Sequence, residues 1–227
     1  RVHIPVVVAD ATTDIVRLPA ADQQKRGLIV SVTADDFAAG DTVHYFSNHG
    51  VDGYFEAQKT PSIIKEVQGK KSFRFEGHQV FRSSFSLPAT LLDNAPYTLE
   101  AWILNDSIAE NECVADFTTS HDELEKIMLV NGTEPRCGVI NHYGWYEDAG
   151  YKDMKTLESK WQHVYICFDG RMEQVYINGQ LISEKDIQLL IKPSQYVTLG
   201  QNAERNWPFT GYLHSLKLWD EYIPMKK

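Results

Sequence analysis

Apolar and polar positions alternate with a period of two along much of the chain, which is the pattern of half-buried strands. Val2, Ile4, Val6 and Val8 alternate within residues 1–9 and predict one N-terminal strand. Residues 10–26 are polar, contain Pro19 and show no period, so they read as a linker. From Gly27 onward strand segments follow one another: 28–32, 72–75, 80–85, 97–104, 112–117, 126–130, 137–142, 161–168, 174–177, 196–199 and 212–219. Asp-Gly or Asn-Gly pairs stand at 52–53, 131–132, 169–170 and 178–179. Such pairs supply the positive φ angles of tight hairpin turns. Asp169-Gly170 lies between two strand segments and predicts an antiparallel hairpin, and Asn178-Gly179 turns the chain again. Helix signals are weak. Residues 121–128 are short, and 183–190 have room for one helical turn. Many short strands punctuated by turns predict an all-β fold, a two-sheet antiparallel β-sandwich or jelly roll. The division is 1–26, a strand and linker, and 27–227, one β domain.

Composition narrows the function. The chain has 227 residues, 43% hydrophobic, with 10 Phe, 11 Tyr and 5 Trp. That is ample for a core that needs no metal or disulfide to fold. The formal charge of −9 disfavours nucleic acid, whose binding rests on Lys and Arg neutralising phosphates. It disfavours an anionic membrane surface for the same reason, and no apolar run reaches the ~18 residues of a membrane span. Cys113, Cys137 and Cys167 are too few for a disulfide framework. Cys167 reads as a small buried hydrophobe, and Cys113 and Cys137 can pair only if their strands are neighbours. The sequons Asn105-Asp106-Ser107 and Asn131-Gly132-Thr133 matter only in a secreted eukaryotic protein. The chain opens on Arg1, which is expected of a processed protein or a piece of a longer one.

Familiar catalytic motifs are absent: no Gly-x-Ser-x-Gly elbow, no His-Glu-x-x-His and no phosphate-binding Gly-rich loop. Glycoside hydrolysis needs two positioned carboxyl groups. The nearest approach is Glu184-Lys185-Asp186-Ile187-Gln188, which reads as a turn and ends in an amide. The acidic stretches 110–112 and 122–125 read as solvated loops. His44 and His49 lack partners at zinc spacing. The most informative stretch is 141–153, Asn-His-Tyr-Gly-Trp-Tyr-Glu-Asp-Ala-Gly-Tyr-Lys-Asp. Here Tyr143, Trp145 and Tyr146 stand among His142 and Asp148 in a Gly-interrupted loop. Rings stack on the apolar face of a sugar, and the polar groups bond its hydroxyls; the same rings also suit packing against the sandwich. Asn202 and Trp207 form a second candidate.

Several segments share an order known elsewhere. Tyr97–Trp102 ends in an Ala-Trp pair. Residues 161–182 run Trp-x-His, then an Asp-Gly turn, then a strand ending in Asn-Gly. Phe209-Thr210-Gly211 opens the last strand, and Phe75-Glu76-Gly77 forms an early turn. In this the chain resembles the laminin-G-like family of concanavalin A-like lectin/glucanase sandwiches, from about Gly27 to Tyr222. The resemblance implies a jelly roll that binds carbohydrate or protein, with catalysis in branches bearing a carboxylate strand. Many members carry calcium at a loop edge. Here His214 and Glu76 stand where the family has Asp, which leaves Asp35, Asn48 and the carbonyls near Gly50 as candidate calcium ligands.

The expected function is a non-catalytic carbohydrate-binding module of a larger secreted, periplasmic or cell-surface protein, with glycan, and alternatively protein, as partner and neighbouring domains on the same chain. The glycan would be held by His142, Tyr143, Trp145, Tyr146, Asp148, Asn202 and Trp207. The rivals are a divergent glycoside hydrolase, with Glu100 or Asp148 at work, and a structural or protein-adhesion domain.

Overall fold

The computed structural model describes residues 27–109, 112–118, 125–131, 139–140, 157–203 and 207–226. The N-terminal strand and linker expected for 1–26 lie outside them. The strands are β1 (Leu28–Thr33), β2 (Thr42–Val43), β3 (Tyr45–Ser47), β4 (Tyr54–Ala57), β5 (Ser62–Val67), β6 (Lys70–Glu76), β7 (Phe81–Ser83) and β8 (Tyr97–Leu104). They continue with β9 (Cys113–Asp116), β10 (Met128–Asn131), β11 (Val139–Ile140), β12 (Gln162–Phe168), β13 (Met172–Ile177), β14 (Gln180–Asp186), β15 (Thr198–Leu199) and β16 (Thr210–Trp219).

They form two antiparallel sheets, the sandwich the alternation predicts. The larger runs β14-β13-β12-β8-β16-β6-β5-β2, with β1 also paired to β16. The smaller runs β11-β10-β9-β15-β7-β4-β3. Alternate residues of the central strands point between the sheets. Leu99, Ala101 and Ile103 of β8 and Val164, Ile166 and Phe168 of β12 are buried from one side, Phe55, Phe81 and Leu129 from the other. An aromatic seam joins them: Phe46 stacks on Phe55 at 5.3 Å and lies 5.0 Å from Phe73, while Phe75 meets Phe209 at 5.5 Å. Each such ring contributes about 1.5–3 kcal/mol by leaving water. Among the described residues no helix is long and apolar enough to cross a membrane.

Strands β2 to β5 went unread in the sequence because they are two to six residues long and rich in polar residues. The turn joining β5 to β6 is Gln68-Gly69, both at positive φ, and carries no Asn or Asp signal. Asn178-Gly179 makes the corresponding turn between β13 and β14, with φ of 52° and 80°. The Asp169-Gly170 hairpin forms as expected, closed differently: the Asp169 carboxylate accepts from the N–H groups of Arg171 and Met172 at 2.8 and 2.6 Å. The helical turn expected in 183–190 is not there. Residues 180–186 pair with β13 as β14, because Met172 to Ile177 offer a full ladder of backbone partners.

Candidate functional site

The outer face of the larger sheet is built by residues one step out of phase with the core. On β8 these are Thr98, Glu100 and Trp102; on β12 His163, Tyr165 and Cys167; on β16 Tyr212, His214, Lys217 and Trp219. Register places His163 opposite Trp102, Tyr165 opposite Glu100, and Lys217 opposite Glu100 on the other flank. Trp102 and Trp219 are therefore surface features of the sheet, whereas the alternation alone assigns them to packing.

These side chains interlock. The His163 ring lies 4.7 Å from that of Trp102, with planes 22° from parallel. Its Nε2 donates to Glu100 Oε1 at 2.7 Å. That bond holds the Glu100 carboxyl below the usual carboxylate range, against the opposing effect of burial, and Lys217 adds to the lowering. The Lys70 ammonium sits 4.4 Å from the Trp102 ring on its own account, and Lys217 sits 5.8 Å from Trp219. Such cation–ring contacts fix a flat aromatic surface in place.

The chain after β16 crosses this face and turns it into a groove. Thr98 Oγ1 donates to Glu221 O at 2.8 Å and accepts from Ile223 N at 2.8 Å. The Tyr165 hydroxyl donates to Ile223 O at 2.8 Å. Between this strap and β1 lies a groove of about 840 Å³ whose floor is Glu100, His163, Tyr165, Lys217 and Trp219. That volume lies within the range of small-ligand sites. Ring faces, an ammonium, an imidazole and a carboxylate line one concavity, so it can present stacking surfaces together with donors and acceptors.

The residues singled out in the sequence fall in several places. His142, Tyr143, Trp145, Tyr146 and Asp148 lie outside the described residues. Asn202 is buried, and its Oδ1 accepts from Trp207 N at 2.9 Å. Trp207 packs on Cys113, Met128 and Val130 on the outer side of the smaller sheet. Trp207 is half-buried there, and among the described residues Asn202 Nδ2 is buried without a hydrogen-bond partner. Cys113 is a free buried thiol, and Cys137, its expected partner, lies outside the described residues.

Asp35, Asn48 and Gly50 do not form a calcium cage. Asn48 is a backbone bracket: Oδ1 accepts from Ser31 N, and Nδ2 donates to the carbonyls of Ile29 and Val51, all at 2.7–2.8 Å. At Asp35 an ammonium already takes the carbonyl oxygens, Lys71 Nζ donating to Asp35 O and Phe37 O at 2.7 and 2.6 Å. Gly50 is close against β1, where an added Cβ would come 2.2 Å from Ile29 O. Among the described residues no group of three His, Cys, Asp or Glu side chains is placed to hold a metal.

One polar cluster escaped the sequence reading. Glu112, expected in a solvated loop, is 1% exposed. Its carboxyl accepts from Asn105 Nδ2 at 2.5 Å and from the Thr210 hydroxyl. Asn131 Nδ2 donates to Asn105 Oδ1 at 2.7 Å. Burial pushes the Glu112 carboxyl up to about 7, with the bonds from Thr210 and Asn105 working against it. Both sequon asparagines are therefore buried inside this cluster and closed to glycosylation in the folded chain. It ties β8 and β16 of one sheet to β9 and β10 of the other.

Comparison with known proteins places the fold. The chain is similar to domain 4 of AbnA, a GH43 extracellular arabinanase from Geobacillus stearothermophilus solved with arabinotriose: 17% identity, TM-score 0.62, covering 88% of this chain and 95% of that one. It is also similar to the binding domain of Paraclostridial Mosquitocidal Protein 1 (13%, TM-score 0.57) and to a Trypanosoma rangeli sialidase mutant displaying trans-sialidase activity (13%, TM-score 0.55). Of those two it covers 50% and 31%, with 88% of its own length matched in each case. At such identities the likeness is one of fold. No curated protein matches the sequence. The family model described as the concanavalin A-like lectin/glucanases superfamily matches residues 82–225, more than half of the chain. The chain belongs to the concanavalin A-like lectin/glucanases superfamily.

Proposed function

We propose that the chain is a non-catalytic glycan-binding module and that the groove on the outer face of the larger sheet is where glycan sits. The observation that carries this reading is the floor itself, where Trp219 and Tyr165 stand with Glu100, Lys217 and His163, whose ring is backed by that of Trp102. A sugar ring stacks its C–H face on an indole, and its hydroxyls find the carboxylate, imidazole and ammonium at the same level. The similar arabinanase domain was solved with arabinotriose, which supports carbohydrate as the ligand class. A general acid needs a raised pKa, and His163 lowers that of Glu100, which speaks against that role for it.

The aromatic stretch 141–153 belongs to the same proposal. It leads directly in sequence to Leu157 and β12, the strand that carries His163 and Tyr165. Tyr143 and Trp145 would stack on the glycan, with His142, Tyr146 and Asp148 beside them. The module would belong to a larger secreted, periplasmic or cell-surface protein. The test is calorimetry against a polysaccharide panel that includes arabinan. Binding that falls about tenfold or more in Trp219→Ala or Trp102→Ala, with the melting temperature held, supports the groove. Loss in Trp145→Ala alone moves the site to the loop. No binding across the panel overturns the reading.

A further inference from the structure

The opposite face of the sandwich carries a second constellation. On the outer side of the smaller sheet Tyr45 stands opposite Glu56, Glu56 opposite Arg82, and Arg82 opposite Thr198, in one row across four strands. Tyr45 and Tyr54 are 54% and 37% exposed, with ring centroids 4.7 Å apart and planes at 40°. A cross-strand contact explains why the rings touch. It does not require them to stand this far into water.

Arg82 adds the second observation. Its guanidinium lies 4.5 Å over the Tyr196 ring, and among the described residues it makes no ion pair. Its Nε is buried with no acceptor, and the buried hydroxyl of Thr198, directly across the strand, has no partner either. A buried N–H of a charged group left without an acceptor costs about 1–3 kcal/mol or more, and folded proteins rarely keep such groups. Beyond the buried Nε, the terminal guanidinium nitrogens are donors that match a carboxylate.

We propose that this face is a second ligand surface, separate from the groove, that binds a glycan bearing uronic-acid residues: one sugar lies on the Tyr45–Tyr54 pair and a neighbouring carboxylate seats on Arg82. The two exposed tyrosine rings offer faces on which the C–H side of a sugar ring stacks. Glu56, next to Arg82 in the row, opposes the denser charge of a polysulfated chain. Because the two sheets face away from each other, a module with both surfaces occupied bridges two polysaccharide chains. Linked arrays of such modules then gain avidity.

The test is calorimetry of the full chain with an oligogalacturonate, its fully methyl-esterified form and chondroitin sulfate. The free acid binds, and its affinity falls with added salt. Arg82→Gln weakens it about tenfold or more, Arg82→Lys restores only part, and the paired change Tyr45→Ala with Tyr54→Ala abolishes it. The paired change to Phe keeps binding, and the groove variant Trp219→Ala leaves it unaltered, which separates this surface from the groove. Equal binding of the methyl ester, tighter binding of chondroitin sulfate, loss in Trp219→Ala, or no binding of the free acid overturns the proposal.

Discussion

The imidazole of His163 lies against the indole of Trp102, ring centroids 4.7 Å apart and planes 22° from parallel. The two residues face each other across β12 and β8, so the stack is set by register and not by a loop. The free edge of the same imidazole holds Glu100 at 2.7 Å. An aromatic plane, a donor and a carboxylate are thereby fixed on the central strands of the larger sheet. A site built on strands is held more rigidly than one on loops.

Glu100 makes the acid side of the stability profile sensitive. Its folded pKa is lowered, so it contributes stability above the ordinary value of 4.5 and loses it as pH falls through the folded value. Glu100→Gln is expected to lower the denaturant midpoint at pH 7 and to match the wild type once pH drops well below 4. An undiminished gap at low pH contradicts the assigned bond to His163.

Glu112 works in the opposite direction. Its folded pKa is raised from 4.5 to about 7, so its contribution is complete below 4.5 and lost as pH rises through 7. At about 1.4 kcal/mol per unit the full change is at most roughly 3.5 kcal/mol. Urea titrations from pH 4 to 8.5 should show the wild type losing stability relative to Glu112→Gln. Parallel curves for the two proteins refute a buried, proton-linked Glu112.

Asn48 separates a bracket from a cation ligand. Asn48→Asp keeps an acceptor for Ser31 N and removes the donor to Ile29 O and Val51 O. The expected loss is about 2–4 kcal/mol, unchanged by millimolar calcium. Recovery of the melting temperature on adding calcium argues for a ligand role instead.

Gly50 is held by a steric wall. Its hypothetical Cβ meets the Ile29 carbonyl at 2.2 Å, and backbone cannot step aside as a side chain can. Gly50→Ala should destabilise by about 3 kcal/mol or more or prevent folding, whereas Gly40→Ala meets nothing within 4 Å and is strained only by its φ of 95°. Thermal melts of the two variants check the ranking.

The sheet structure was legible where strands are long and alternate cleanly. Residues 97–104 were read to their true ends, and β12 was read to within one residue of its start, because Leu99, Ala101, Val164 and Ile166 alternate against polar or aromatic partners. The edge strands β2 and β3 were not, since two or three residues carry no period. The groove was hidden for a different reason. Trp102 and Trp219 look like core residues in an alternating strand, and only pairing across β8, β12 and β16 shows them on the outer face with His163 and Lys217. Nor did any local pattern mark Glu112 as buried. Its partners Asn105, Asn131 and Thr210 come from three other strands or strand ends, between 7 and 98 residues away or linked through Asn105.

The five Trp residues allow the central claim to be read directly. Indole N–H resonances, assigned by single Trp→Phe changes, are followed as a binding polysaccharide fragment from the panel is titrated into the protein. The account predicts saturable shifts at Trp102 and Trp219, with Trp207, packed on Cys113 and Val130, unmoved. Shifts at Trp207 with none at Trp102 and Trp219 contradict it.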